Sequence, residues 1–362
     1  MFLIYGIIKK TFGVNIMAEL KYIEARNAPF DVYGLYNYRT EPQYKRMPDD
    51  VAKNTNGGVA GLYLNTAGGR VRFSTDSSRI AIKVSMPGIT RFYHMPLSGS
   101  AGLDLYIDKA EGEKMSPDKE DLGFYRCFTT PYDMQDGYEA TVELGTKKMR
   151  YFTINMPSYS NVKDLFIGID EDSTLSGGLS YFPILPVVYY GSSITQGACS
   201  SRPGNIYQNI IARRLNIDYI NLGFSGSARA EKAVCDYMAT LSMSAFVSDY
   251  DHNAPDPEYL EKTHFNLYET IRTKHPDIPY IMITRPDYRN GDRTEQRRQI
   301  VINSYEKAKA IGDKNVYFID GKEFFVGKYA DMCTVDGCHP TDLGFSFMAD
   351  TIGDVLEKVL PL

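Results

Sequence analysis

The stretch "PVVYYGSSITQGACSS" (residues 186–201) joins a short apolar run to a turn made of glycines and small hydroxyl residues. A short apolar run bounded by turn signals reads as a buried strand. The same rhythm returns at "DYINL" (218–222), "SAFVSD" (244–249), "PYIMIT" (279–284) and "NVYFID" (315–320). Helical spacing fills the gaps between these runs. Ile206, Ile210, Ile211 and Leu215 share one face, and Val301, Tyr305, Ala308 and Ile311 share another. A last helix repeats Phe345, Met348, Ala349, Ile352, Leu356 and Val359, with Thr341 as its N-cap. Strand and helix in alternation predict a three-layer α/β domain: a parallel five-stranded sheet with helices on both faces.

Upstream the rhythm differs. From about Val59 to Asp170 the apolar residues recur with period two. Val71 and Phe73 alternate with Arg70, Arg72 and Ser74, and Ile80, Ile82, Val84 and Met86 alternate with Ala81, Lys83 and Ser85. Leu103, Leu105 and Ile107 line one face of "GLDLYID", and "EATVELG", "RYFTINMP" and "KDLFIGID" read alike. Turn clusters such as "NTAGG", "STDSS" and "LSGSAG" separate the runs. This pattern predicts an all-β, jelly-roll-like antiparallel sandwich. The break falls near 175–185, where "EDSTLSGG" and two prolines interrupt, so the expected domains are 18–180 and 183–362.

Bulk composition is compatible with two such domains. The chain has 362 residues, 43% of them hydrophobic, enough for substantial cores. A net charge of −5 without a basic run argues against nucleic acid. The 28 tyrosines and 18 phenylalanines serve strands and core first, although tyrosine also lines sugar-binding surfaces. The five cysteines show no C-x-x-C spacing, so no zinc site or disulfide framework is expected, and only a Cys199–Cys338 bridge stays open. The N-terminal "MFLIYGIIKKTFGVNIMAEL" is too short to span a bilayer and places its lysines after the apolar run, the reverse of a signal peptide. Met17 is an alternative start, and the expected compartment is the cytoplasm, with the periplasm as the alternative.

In an open parallel sheet, ligands bind beyond the carboxyl ends of the strands. Ser192 and Ser193, "GFSGSA" (223–228), "DYDHNAP" (249–255), "RPDYRNGDR" (285–293) and "DGCHPTD" (336–342) all fall at that edge. Acyl transfer by serine needs a base, a carboxylate to orient it and donors for the oxyanion. Of five histidines, His94 lies in the sandwich, and His264 and His275 lie in or beside a polar helix, where solvated side chains are expected. His252 and His339 remain. A D-x-x-H-P turn can aim Asp336 and His339 at each other, although the same residues could form an ordinary helix entry. The serine turn is neither a G-x-S-x-G elbow nor a phosphate loop.

Together "GSSITQG", "NLGFSG", "DYDHNAP" and "DGCHP" resemble the four signatures of the SGNH (GDSL-like) hydrolases, in the family's order. The resemblance implies Ser193 as nucleophile, His339 as base and Asp336 as its orienting acid. It implies an oxyanion hole of the Ser193 and Gly226 N–H groups and the Asn253 amide. Ser192 replaces the aspartate of the GDSL form, and Asn253 stands in a D-x-x-x-N rather than a G-x-N-D context. "GLDLY" (102–106) resembles the G-x-D-L-Y motif of a domain that precedes such hydrolases, with Asp104 read as a turn or domain-contact carboxylate. The alternative is that the sandwich sends a loop over the active site and helps select substrate.

The expected activity is a serine esterase that removes short acyl groups, above all acetyl, from a carbohydrate or similar polar substrate, with no metal or organic cofactor. Rivals are a lipase-like or thioester acylhydrolase, an acyltransferase, and a carbohydrate-binding adaptor with a degenerate hydrolase half. The polar "RPDYRNGDR" loop disfavours a long-chain lipase. Arg285 and Arg202 are candidate substrate contacts, each with a surface role as its alternative; Arg289 and Arg293 are expected to be plain loop charges. Asp249 and Asp251 could position the Asn253 loop. A metal on Asp249, Asp251 and His252 is disfavoured because successive side chains of a turn should point apart.

Overall fold

The computed structural model describes residues 19–109, 123–286 and 293–362. Met17 and the apolar N-terminal run, and Arg289, lie outside the described residues.

The period-two half folds as two antiparallel sheets. One contains β1 (Leu20–Glu24), β4 (Arg79–Ser85), β7 (Gly137–Glu143) and β9 (Asp164–Asp170), in the order β1-β9-β4-β7. The other orders β10 (Leu175–Gly177), β3 (Arg70–Thr75), β8 (Arg150–Asn155), β5 (Asp104–Asp108) and β6 (Gly123–Cys127), with β2 (Asp31–Tyr33) paired to β3. Val71, Phe73, Ile80, Ile82, Leu105, Phe152, Ile154, Leu165 and Ile167 meet in the core between them. Their spacing is the alternation of the sequence, because successive side chains of a strand leave opposite faces.

The outer face of β3 departs from expectation. All six of its residues are buried, including Arg70 and Arg72. Arg70 lies against the second domain, paired with Asp218 and over the Tyr219 ring, while Arg72 is paired within the sandwich to Asp108 and lies over the Tyr181 ring of the connecting segment. A buried charge is tolerated when it is paired. Val59, read as the start of the strand pattern, instead lies in a helix, α2 (Gly57–Leu62), which follows α1 (Asp49–Thr55). Ala52 and Val59 from these helices join the core of the second domain. "LSGS" within the turn cluster is a single helical turn, α3 (Leu97–Ser100).

The second half is a parallel sheet of β11 (Val187–Gly191), β12 (Tyr219–Gly223), β13 (Ala245–Asp249), β14 (Tyr280–Ile283) and β15 (Val316–Ile319). Its order, β12-β11-β13-β14-β15, reverses at β11, so the crevice of a doubly wound sheet opens there. Val188 and Tyr190 of β11 pack on one side with α6 (Lys232–Thr240), α7 (Pro257–Lys274) and α8 (Thr294–Ala310). Val187 and Tyr189 pack on the other with α5 (Tyr207–Leu215) and α9 (Asp342–Val359). Ile311, expected on the buried face of α8, falls past its end and is 65% exposed. Among the described residues no helix is long and apolar enough to cross a membrane.

Asp104 of the G-x-D-L-Y motif ties the halves together. Fully buried, it accepts the Gly204 N–H at 2.8 Å, Asn155 Nδ2 at 2.7 Å and Arg202 Nη1 at 3.3 Å. Tyr106 of the same motif bonds Arg202 as well. Asp104 is thus a domain-contact carboxylate.

Candidate active site

The turn after β11 is shaped by its own side chains. Ser192 is extended, and its Oγ accepts the Ile194 N–H at 3.1 Å, capping the one-turn helix α4 (Ser193–Gln196). Serine therefore does at 192 the loop-supporting work expected of the position. Gly197, at φ +107°, ends the turn in a left-handed conformation and returns its N–H to the carbonyls of Ser193 and Ile194. Gly191 is required by contact: a Cβ there would lie 2.3 Å from the Asp249 carbonyl oxygen. Ser193, at the first helical position, thus stands at the carboxyl edge with its Oγ directed away from the sheet core.

His339 arrives from the other end of the domain. Its Nε2 lies 2.8 Å from Ser193 Oγ and its Nδ1 lies 2.7 Å from an Asp336 carboxylate oxygen. The other oxygen of Asp336 accepts the backbone N–H groups of Cys338 (3.0 Å) and His339 (2.8 Å). Partial burial raises the Asp336 pKa, but these hydrogen bonds and the adjacent imidazole outweigh it and hold the carboxyl at about 2. The turn is closed by Val335 N–H on the His339 carbonyl and by the Thr341 cap of α9. Thus the D-x-x-H-P segment is both a helix entry and an aimed acid–imidazole pair.

The three residues expected to supply donors, Ser193, Gly226 and Asn253, follow β11, β12 and β13 at the same edge. Among the described residues, neither the Ser193 N–H nor the Gly226 N–H has an acceptor. Asn253 uses its side-chain oxygen to accept the Ala228 N–H at 3.4 Å, which leaves Nδ2 as the donor. The loop carrying Asn253 is held from below. Asp251 accepts the His252 N–H (2.7 Å), His252 Nδ1 (2.8 Å) and the Arg285 N–H (3.1 Å). Arg297, not singled out in the sequence, clamps the carbonyls of Asp251 (2.7 Å) and Ala254 (3.0 Å). Asp249 receives Thr195 Oγ1 at 3.1 Å, and burial pushes its pKa well up. The ligand atoms of Asp249, Asp251 and His252 lie within 4.8 Å of one another, so the argument that this turn points them apart does not hold. Its 3₁₀ geometry, over Asp251–Asn253, brings neighbouring side chains together.

The remaining candidates are distributed as follows. Arg285 stands at the edge, close enough to Cys338 for its charge to oppose the rise that burial imposes on that thiol. Arg202, expected at substrate or on the surface, instead holds the domain seam, with its guanidinium 3.6 Å from the Phe124 ring centroid. Arg293 precedes α8 at φ +61°. His264, expected to be solvated, is 2% exposed, stacks on Tyr250, and burial lowers its pKa to about 4. Cys199 and Cys338 are both free thiols.

Two residues from the sandwich reach this centre: Tyr159, which the sequence reading did not single out, and His94, which it set aside as a base. Tyr159 donates its hydroxyl to the Ser193 carbonyl at 3.2 Å. His94 places its ring centroid 5.7 Å from that of His339. Neither carries a local signal, because each meets its partner only across the domain seam. Gln196 adds a third link, donating to Asn65 and to the Ser158 carbonyl, both at 3.1 Å.

The comparisons agree with this architecture. Residues 185–357 match the GDSL-like lipase/acylhydrolase family, and residues 20–175 match the N-terminus of SGNH hydrolase-type esterases. Among curated proteins none matches the chain. A crystal structure from Bacteroides ovatus, described as a GDSL-like lipase, is 28% identical with a TM-score of 0.82, covering 94% of this chain and 98% of that one. The salicylyl-acyltransferase SsfX3 of a tetracycline biosynthetic pathway is 18% identical with a TM-score of 0.72, covering 94% and 98%. A family two carbohydrate esterase from Clostridium thermocellum, solved with cellohexaose, is 13% identical with a TM-score of 0.61, covering 91% and 98%. The last two likenesses are of fold. With a GDSL-like acylhydrolase domain over 185–357 behind an SGNH-esterase N-terminal domain over 20–175, the chain belongs to the SGNH (GDSL-like) hydrolases and is a carboxylic ester hydrolase.

Proposed function

We propose that the protein is a serine esterase that removes short acyl groups, above all acetyl, from a carbohydrate or similarly polar alcohol through an acyl-enzyme. The observation that carries the reaction is the unbroken relay from Asp336 through His339 to Ser193, at 2.7 and 2.8 Å. Ser193 Oγ attacks the ester carbonyl while His339 Nε2 takes its proton. Asp336 remains ionised, holds the imidazole in the tautomer that can accept at Nε2, and stabilises the imidazolium. The developing oxyanion is met by the Ser193 N–H, the Gly226 N–H and Asn253 Nδ2, three neutral donors that need no charge to stabilise it. His339 then protonates the leaving alkoxide, water attacks the acyl-enzyme by the same relay, and Ser193 is released with the carboxylate product. The same reading divides the chain into a sandwich over 18–180 and a hydrolase domain over 183–362.

The polar substrate rests on the rim. Tyr93 is 99% exposed, and its ring lies 4.5 Å from that of His94, which in turn neighbours His339. An exposed aromatic face beside the reaction centre suits the apolar face of a sugar ring better than an acyl chain, which would be enclosed by apolar walls. Release of p-nitrophenol from p-nitrophenyl acetate should fall to background in Ser193→Ala, and equal release by both proteins defeats the assignment. Octanoyl ester should be turned over more slowly than acetyl ester; the reverse order favours the lipase-like reading.

A further inference from the structure

We propose that a thiophilic divalent cation such as Zn2+ binds at the reaction centre through His94, Cys199 and His339 and switches the enzyme off. One ligand atom from each of these residues lies within 4.8 Å of the other two. The set is drawn from both domains: His94 from the sandwich, Cys199 from the segment after the nucleophile turn, and His339 from the entry to α9. Two imidazoles and a thiol form a soft donor set that selects zinc over magnesium or calcium. Tetrahedral zinc, with bonds of about 2.0–2.3 Å, needs its ligand atoms to close by about 1.5 Å at most, within the reach of side-chain rotation.

Two independent features mark these residues. His94 Nδ1 is buried and has no hydrogen-bond partner among the described residues. Cys199 is 5% exposed and is held at φ +70°, a conformation that L side chains with a Cβ rarely adopt. Here the left-handed turn carries the thiol into the cleft wall near Asp336 and Cys338. Asp336 completes the site. A ligating histidine commonly donates its other ring N–H to a carboxylate, and Asp336 already occupies that place on Nδ1 of His339. On binding, His339 Nε2 leaves Ser193 Oγ for the metal, the Cys199 thiol releases its proton to solvent as the metal–sulfur bond forms, and water fills the fourth position. Ser193 is then left without a base. Because His94 and the other two ligands lie in different domains, the ion also links the sandwich to the hydrolase.

The inhibition rests on His339 being the base, whereas the binding does not, and the test separates them. Metal-free protein is titrated with Co2+ and followed by its thiolate-to-cobalt charge-transfer absorption. Hydrolysis of p-nitrophenyl acetate is measured in parallel with Zn2+ and again after chelation. The expected result is a thiolate band in the wild type and in Ser193→Ala, and Zn2+ inhibition reversed by the chelator. Cys199→Ser should lose the band, and both Cys199→Ser and His94→Gln should need at least tenfold more Zn2+ for half-inhibition, each measured against its own rate without zinc. Should Cys199→Ser fail to fold, His94→Gln, on a surface loop, decides alone. Unchanged Zn2+ sensitivity in His94→Gln, or bound cobalt without the thiolate band, overturns the site. A thiolate band with undiminished hydrolysis leaves the site standing and overturns His339 as the base.

Discussion

Two aspartate–histidine pairs sit at the carboxyl edge of the parallel sheet, and they differ in what the far nitrogen of the imidazole meets. In Asp336–His339 the carboxylate–Nδ1 distance is 2.7 Å and Nε2 reaches Ser193. In Asp251–His252 it is 2.8 Å, yet His252 Nε2 is buried without a partner among the described residues. The surroundings differ as well. The Asp336 side chain is 37% exposed and that of Asp251 only 2%. A base must exchange protons with substrate and solvent, so it needs an open side; a pair that braces a loop is better closed. Asp251 spends its oxygens on His252 and on the backbone of Arg285, and thereby fixes the segment that presents Asn253. The lesson is that an imidazole oriented by a carboxylate is a common local device, and its third partner decides whether it performs chemistry.

The widest separation between the two pairs is expected from removing the rings. His339→Ala should cost roughly four orders of magnitude in kcat/KM on p-nitrophenyl acetate, with the far-ultraviolet circular dichroism unchanged. His252→Ala should stay within about tenfold of wild type and instead lower stability by about 1–3 kcal/mol, since Asp251 loses a buried partner. Comparable activity losses in both would erase the distinction.

The carboxylates give a smaller contrast. Asp336→Asn should reduce kcat by roughly a thousandfold, because an amide neither fixes the productive tautomer nor stabilises the imidazolium. Full activity in that variant would require another acid behind His339. Asp251→Asn should act mainly on the denaturation midpoint. In pH terms, the folded pKa of Asp336 lies below the ordinary 3.8, at about 2. Its contribution to stability is therefore complete above about pH 4 and is lost as pH falls towards 2. Any loss of turnover at pH 5 has another cause.

The sheet, its helices and the Asp336–His339 turn were legible because each is written locally, whereas the pairing of that turn with Ser193, 146 residues away, came from the family resemblance. Apolar runs such as "SAFVSD" become β13, Thr341 caps α9, and Asp336 lies three residues from His339. What stayed hidden depends on the seam between domains. Arg70 and Arg72 alternate with apolar neighbours as solvent-facing residues do, but the second domain covers Arg70 and the Tyr181 ring lies against Arg72. Arg202 looked like a substrate contact because it follows the nucleophile turn, and only the buried Asp104 reveals its work. His264 reads as polar on a polar helix, while the fold turns it onto Tyr250. Period and spacing report which residues share a face; they are silent on what covers it.

His264 sharpens the comparison because it is packed beneath the closed pair. Burial lowers its pKa from 6.5 to about 4, with the Asp251 charge opposing the shift. A histidine held neutral in the fold is protonated first in the unfolded chain. Stability is therefore complete above about pH 6.5 and declines until about pH 4, by about 3 kcal/mol in all. His264→Phe keeps a ring against Tyr250 and removes the proton site, so denaturant midpoints between pH 6.5 and 4 should become flatter. An unchanged slope would place the acid sensitivity elsewhere.

The smallest effect is expected at Tyr159, where the sandwich touches the open pair's hydroxyl partner. Its hydroxyl donates to the Ser193 carbonyl at 3.2 Å and is itself buried. That carbonyl also accepts the N–H groups of Gly197 (3.0 Å) and Ala198 (2.9 Å), so Tyr159→Phe leaves no orphaned acceptor. The loss is then that of one neutral hydrogen bond, about 0.5–1.5 kcal/mol. If the bond only joins the domains, the loss appears in the denaturation midpoint and kcat is unchanged. If it also aligns the nucleophile, kcat falls by roughly twofold to tenfold with KM constant, because only the approach of Ser193 Oγ to the carbonyl carbon is altered. The second outcome is expected, since the Ser193 carbonyl and Oγ belong to one residue at the start of a single helical turn. A purely structural loss would confine the sandwich's part in catalysis to the rim around His94.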